Sequence, residues 1–88
     1  MYWTIEFTAQ AENALRRLDK SVVRRVKKYL SQIKELPNPR MRGESLKGNL
    51  SEFWKYRVGD YRIVCEIQDK KLVILIVKIG HRRDVYKI

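Results

Sequence analysis

The stretch Trp54-Lys55-Tyr56-Arg57-Val58-Gly59-Asp60-Tyr61-Arg62-Ile63-Val64-Cys65, "WKYRVGDYRIVC", reads as two strands joined by a two-residue turn. Glycine in the first loop position suits a type II′ turn, whose twist matches that of the flanking strands. The register follows: Val58 faces Tyr61, Arg57 faces Arg62, Tyr56 faces Ile63 and Lys55 faces Val64. Period two puts Trp54, Tyr56, Val58, Tyr61, Ile63, Cys65 and Ile67 on one face, fit for a core. The opposite face receives Phe53, Lys55, Arg57, Arg62, Val64 and Glu66. Like charges directly opposite one another destabilise a ladder by up to about 1 kcal/mol per pair. Such a row becomes favourable once a phosphate or carboxylate occupies it. Three long side chains splayed into water are the alternative reading of the same pattern.

Outward from this hairpin, Gln68–Lys71 reads as a turn and Leu72–Ile79, "LVILIVKI", as a strand apolar on both alternating sets until Lys78. That pattern marks a central strand covered on both faces. At the other end Tyr2–Phe7 alternates, with Trp3, Ile5 and Phe7 on one side, as a half-buried strand does. Thr8 is placed to cap a helix from Ala9 to about Leu18, with Ala11, Ala14, Leu15 and Leu18 as its apolar face. Asp19 is placed to cap a second helix to about Lys34, with Val22, Val26, Tyr29, Leu30 and Ile33 inward and Arg24, Arg25, Lys27 and Lys28 outward. "LPNP" at Leu36–Pro39 stops it. The near-absence of a linker makes the two helices an antiparallel hairpin. Residues 37–51 read as an irregular connection. The fold class is α+β: an N-terminal edge strand, then an antiparallel helix hairpin packed on a small, mainly antiparallel sheet.

The totals agree with one domain over residues 1–88, because a chain this short buries roughly 60–65% of its extended surface in one modest core. Twenty Lys and Arg against ten Asp and Glu leave a net charge of +10. That exceeds the roughly 2–8 units useful for solubility and points to a polyanionic partner. A single cysteine, Cys65, forms no intrachain disulfide. The longest apolar run, Leu72 to Val77, is far short of the ~20 residues that span a bilayer, so a soluble cytoplasmic protein without membrane association is expected.

Chemistry-bearing residues gather after the last strand in "KIGHRRDVYKI", Lys78–Ile88. His81 is the sole histidine and suits proton transfer near neutrality, though a strand-end histidine is equally a plain surface residue. Tyr86 beside Arg82 and Arg83 is placed to stack on a base or to close the edge of the core. No metal or cofactor is expected, since one His and one Cys fall below a ligand set and no glycine-rich nucleotide loop occurs. Phosphodiester chemistry here would rely on cationic side chains around the phosphoryl transition state, with the RNA 2′-OH as nucleophile.

The motifs "LKG" (Leu46–Gly48), "WKYRVGDYRIVC" and "KIGHRRDVY" (Lys78–Tyr86), in this order and spacing, resemble the RelE/ParE superfamily of toxin–antitoxin toxins, and within it the RelE-like messenger-RNA interferases. The resemblance runs over nearly the whole chain. It implies a type II toxin that cleaves messenger RNA in the ribosomal decoding site, inhibited by an acidic RelB-like antitoxin. It further implies a toxin–antitoxin heterotetramer that binds operator DNA. By the same resemblance Lys55 and Arg62 contact the transition-state phosphate, Arg82 acts as general acid, and Tyr86 stacks on the substrate base. Arg57 departs from a family lysine proposed as general base, and an arginine with a pKa above about 12 is a poor base. Either Lys55 or His81 then takes the proton, or Arg57 is purely electrostatic. Arg40, Arg42, Lys47, Lys78 and Arg83 are candidates for further RNA contacts. Two other readings stand: a ParE-like gyrase inhibitor on the same fold, and a nucleic-acid-binding module without catalysis.

Overall fold

The computed structural model describes Tyr2–His81. Elements run β1 (Thr4–Phe7), α1 (Ala9–Arg16), α2 (Lys20–Ile33), β2 (Glu44–Ser45), β3 (Trp54–Val58), β4 (Tyr61–Gln68) and β5 (Val73–His81), with short 3-10 turns at Pro39–Met41 and Gly48–Leu50. The strands form one sheet in the order β1-β5-β4-β3-β2. All ladders are antiparallel except β1 with β5, which is parallel, Thr4 opposite Val73 and Phe7 opposite Ile76. The α+β class, the helix hairpin, the edge position of β1 and the central position of β5 are as the sequence implies.

Thr8 caps α1, its hydroxyl accepting from the Ala11 N–H at 3.1 Å. The helix closes at Arg16, and the next two amides tighten into i→i−3 bonds, Arg17 to Ala14 and Leu18 to Leu15. Asp19 stands at the N-cap of α2 but makes no side-chain cap bond; its carbonyl instead accepts from the Val23 N–H at 2.9 Å. Ala11 and Leu15 from α1 join Val22, Val26, Leu30 and Ile33 from α2 in the core, over Tyr56, Ile63, Cys65, Ile74, Ile76 and Ile79 of the sheet. Trp3 is buried outside the ladder, its backbone N–H on the Lys34 carbonyl and its indole N–H on that of Pro37.

Two features differ from the sequence reading. β2 lies inside the segment read as irregular: Glu44 pairs with Lys55 and Ser45 with Trp54. Two exposed polar residues carry no periodicity, so the pairing comes from the partner strand rather than from their own pattern. The second is a bulge. Val64 pairs with Lys78 and Cys65 with Ile76, leaving Val77 as the extra residue on β5. The bulge keeps both Ile76 and Ile79 in the main core and turns Val77 to the far face. There Val77 meets Val64, Leu46, Leu50 and Phe53 in a small second cluster. The connection after β2 thus supplies the second cover of β5, and only near Val77.

Candidate functional site

The β3–β4 hairpin has the register read from the sequence, Arg57 opposite Arg62, Lys55 opposite Val64 and Val58 opposite Tyr61. Gly59 has φ +59° while Asp60 keeps a negative φ, which is the sign pattern of a type II′ turn. Tyr56, Val58, Ile63 and Cys65 go under the helices, so Lys55, Arg57 and Arg62 share the open face. Arg62 is half-buried and pinned at the turn, its Nη1 donating to the Gly59 and Tyr61 carbonyls at 3.1 Å each. Arg57 is exposed across from it. Lys55 Nζ lies 3.1 Å from Glu44 Oε1.

These side chains line a cleft of about 450 Å³ together with Tyr29, Gly43, Glu44 and Tyr56. The cleft opens over the edge of β3, where β2 has stopped after pairing with Trp54 and Lys55. Gly43 makes that closeness feasible: at φ +77°, a Cβ there would fall 2.7 Å from Trp54 Nε1, 2.8 Å from Tyr56 Cδ1, and closer still to the Lys55 carbonyl. Three cations and one carboxylate around an open cleft form an anion cradle with a built-in proton acceptor.

Glu44 and Tyr29 were not singled out in the sequence as site residues. Glu44 sits in a loop with no pattern, and Tyr29 occupies a core position of α2. Only the β2 pairing brings Glu44 to Lys55. Arg25, read as part of the solvent-facing side of α2, lies against the β3–β4 turn: a Cβ on Gly59 would lie 3.5 Å from both of its Nη atoms.

The remaining candidates scatter. His81 pairs with Tyr61, its ring 5.8 Å from the Tyr61 ring, which puts it on the helix-covered face and away from Lys55, Arg57 and Arg62. Lys78 pairs with Val64 on the cation face, one row from Arg62. Lys47 borders a shallow apolar depression with Leu46, Leu50 and Lys55. Arg42 lies over the Tyr29 ring at 5.8 Å and donates to Gln32 Oε1 at 3.1 Å. Arg40 is committed elsewhere, bidentate to Asp69 at 2.9 Å through both nitrogens. That bond holds the Asp69 carboxyl below its usual range. Arg82, Arg83 and Tyr86 lie outside the described residues. Burial raises the Tyr29 hydroxyl pKa, against the lowering effect of nearby Arg42.

A family model described as the ParE toxin of type II toxin–antitoxin systems matches residues 5–86. The chain therefore belongs to the RelE/ParE superfamily of type II toxin–antitoxin toxins. Its relatives include Toxin RelG of Mycobacterium tuberculosis, 27% identical over 88 residues and covering 99% of each chain. The mRNA interferase toxin RelE of Escherichia coli is 29% identical over 89 residues, covering 98% of this chain and 92% of RelE. Among solved structures, the toxin–antitoxin complex RelBE2 of M. tuberculosis superposes with a TM-score of 0.83 at 25% identity, covering 96% of this chain and 95% of that one.

Proposed function

We propose that this toxin is an endoribonuclease that cuts messenger RNA in the decoding site of the ribosome, using side chains alone. The observation that carries the reading is the joining of Lys55, Arg57, Arg62 and Glu44 in one open cleft. A relative named mRNA interferase toxin supports it at the level of the family.

In this mechanism the scissile phosphate rests on Lys55, Arg57 and Arg62. Their charge stabilises the pentacoordinate transition state, in which negative charge spreads over the non-bridging oxygens. The substrate 2′-oxygen attacks the adjacent phosphorus, and Glu44 takes its proton. A carboxylate beside the cradle does what the Arg57 guanidinium does not. The bond from phosphorus to the 5′-oxygen breaks, and that oxygen is protonated as it leaves, in the role the family resemblance assigns to Arg82. The product is a 2′,3′-cyclic phosphate. Tyr86 orients the base, and Lys47, Lys78 and Arg83 hold the backbone on either side. An acidic antitoxin is the partner that would oppose this charge, and the M. tuberculosis RelBE2 relative is a toxin–antitoxin complex.

Primer extension on translating ribosomes tests the reading. Cuts within the ribosomal A site are expected with the wild-type toxin, and none with Arg62→Ala, Arg82→Ala or Tyr86→Ala. Intact message with damaged DNA would transfer the assignment to a gyrase inhibitor.

A further inference from the structure

Little in its own surroundings fixes the Glu44 carboxylate. The Glu44 side chain is 70% exposed, against 25% for Lys55. β2 offers only two ladder pairs, Glu44 with Lys55 and Ser45 with Trp54. Strands in globular proteins usually run to about 3–10 residues, so an edge strand this short needs a hold from outside the ladder. The segment before it supplies that hold. Three of its carbonyls are tied to aromatic donors: Pro37 accepts the Trp3 indole N–H at 3.3 Å, Pro39 the Tyr56 hydroxyl at 2.7 Å, and Arg42 the Trp54 indole N–H at 2.7 Å. The last of these bears on the site, because Gly43 alone separates Arg42 from Glu44. Alternation puts Trp54 on the helix side of β3 with Tyr56, half-buried against the main core and outside the lining of the cation cleft. Packing therefore fixes the ring, and its N–H, a donor only, reaches past the β3 edge to the Arg42 carbonyl. Gly43 then turns against the same ring: at φ +77° a Cβ there would lie 2.7 Å from Trp54 Nε1. The chain leaves that turn with Glu44 opposite Lys55 and Oε1 3.1 Å from Nζ.

We propose that Trp54 is a positioning residue: its indole N–H, through the Arg42 carbonyl, holds β2 on β3 and so aims the Glu44 carboxylate at the proton it removes. This rests on the endoribonuclease reading above. An exposed carboxylate on an untethered loop samples many directions, and a misplacement of about 1 Å at a reacting group costs up to about 10²-fold in rate. Trp54 touches neither the phosphate nor the 2′-oxygen in this arrangement; it acts through Glu44.

The experiment is a double-mutant cycle read by single-turnover cleavage on programmed ribosomes, with ribosome affinity measured separately and rates compared at equal folded fraction. Trp54→Phe keeps an aromatic ring and removes the N–H. Its maximal cleavage rate is expected to fall about tenfold, with ribosome affinity unchanged within about twofold. In the Glu44→Gln toxin, followed over longer times, adding Trp54→Phe should cost less than about twofold, since the group it aims is already disarmed. A general loosening of the fold would cost the same factor in both backgrounds. Replacing the Trp54 indole by benzothiophene, which exchanges only the N–H for sulfur, should act as Trp54→Phe does and covers the case in which Trp54→Phe fails to fold. Trp3→Phe removes the same kind of bond at the far end of the segment and should leave cleavage within about twofold. The proposal is overturned by N–H-less toxins that cut at the wild-type rate, by a loss as large in the Glu44→Gln background as in the wild type, by Trp3→Phe costing as much as Trp54→Phe, or by a Glu44→Gln toxin that cuts like the wild type. A wild-type toxin that leaves every message intact overturns the endoribonuclease reading, and the role of Trp54 with it.

Discussion

In the proposed reaction Glu44 and Lys55 form the pair on which the chemistry turns, because an arginine is a poor proton acceptor. Glu44→Gln keeps the size and hydrogen-bonding capacity of the side chain but removes the proton acceptor. Cleavage in the programmed-ribosome assay should fall by about 10²–10⁴-fold, with ribosome association unchanged. Cys65 gives a prediction about stability instead. Burial pushes its thiol up to about 12 from the ordinary 9.0, and burial raises the Tyr56 hydroxyl as well. Both groups stay protonated in the fold after the unfolded chain has begun to ionise. Their stabilising contribution is therefore full below pH 9 and is lost as pH rises from there through about 12. Urea midpoints measured between pH 8 and 11 should decline, and Cys65→Ala should make the decline shallower. The cation row, its register and its face could all be read from alternation around Gly59. Glu44 could not, since its role depends on a pairing that only the folded connection brings about.

Among the elements, the loop entering β2 and the turn entering β5 carry backbone strain of opposite consequence. Gly43 sits at φ +77° with no room for a methyl group. Gly43→Ala should destabilise the protein by about 2 kcal/mol or more in chemical denaturation and open the cleft, since β2 would be pushed off β3. Leu72 holds φ +55° at the end of the β4–β5 turn and is 48% exposed. Leu72→Gly should raise stability by about 0.5–1 kcal/mol, because glycine adopts that backbone without the steric penalty and little core is given up. Helix periodicity placed α1 and α2 within two residues of their observed ends, and the apolar run of β5 announced a central strand. The bulge at Val77 was hidden in that same run. Where every residue is apolar, alternation no longer says which one faces which way, and the partner strand decides. His81 was separated from the cation face for a related reason: its face depends on the register beyond the bulge.

For the whole molecule, the net charge of +10 sets how it meets its targets. On the proposed reading, contacts with about four phosphates would make association with ribosomes weaken by about 10–100-fold between 50 and 200 mM salt. Filter binding across that range checks it, and a flat response would separate recognition from charge. Among the described residues, no helix is long and apolar enough to cross a membrane. The sheet order adds a consequence of timing. β1 lies beside β5, so the first strand waits for the last described one, and α1 also packs on β5. A growing chain exposes the full cation hairpin on β3 and β4 while the strand that joins the two halves is still unmade. Halted before Val73, such a chain would carry the chemistry without the frame to aim it, and should neither arrest growth nor melt cooperatively. The order in which the strands are made would thus delay a working toxin until β5 has been added.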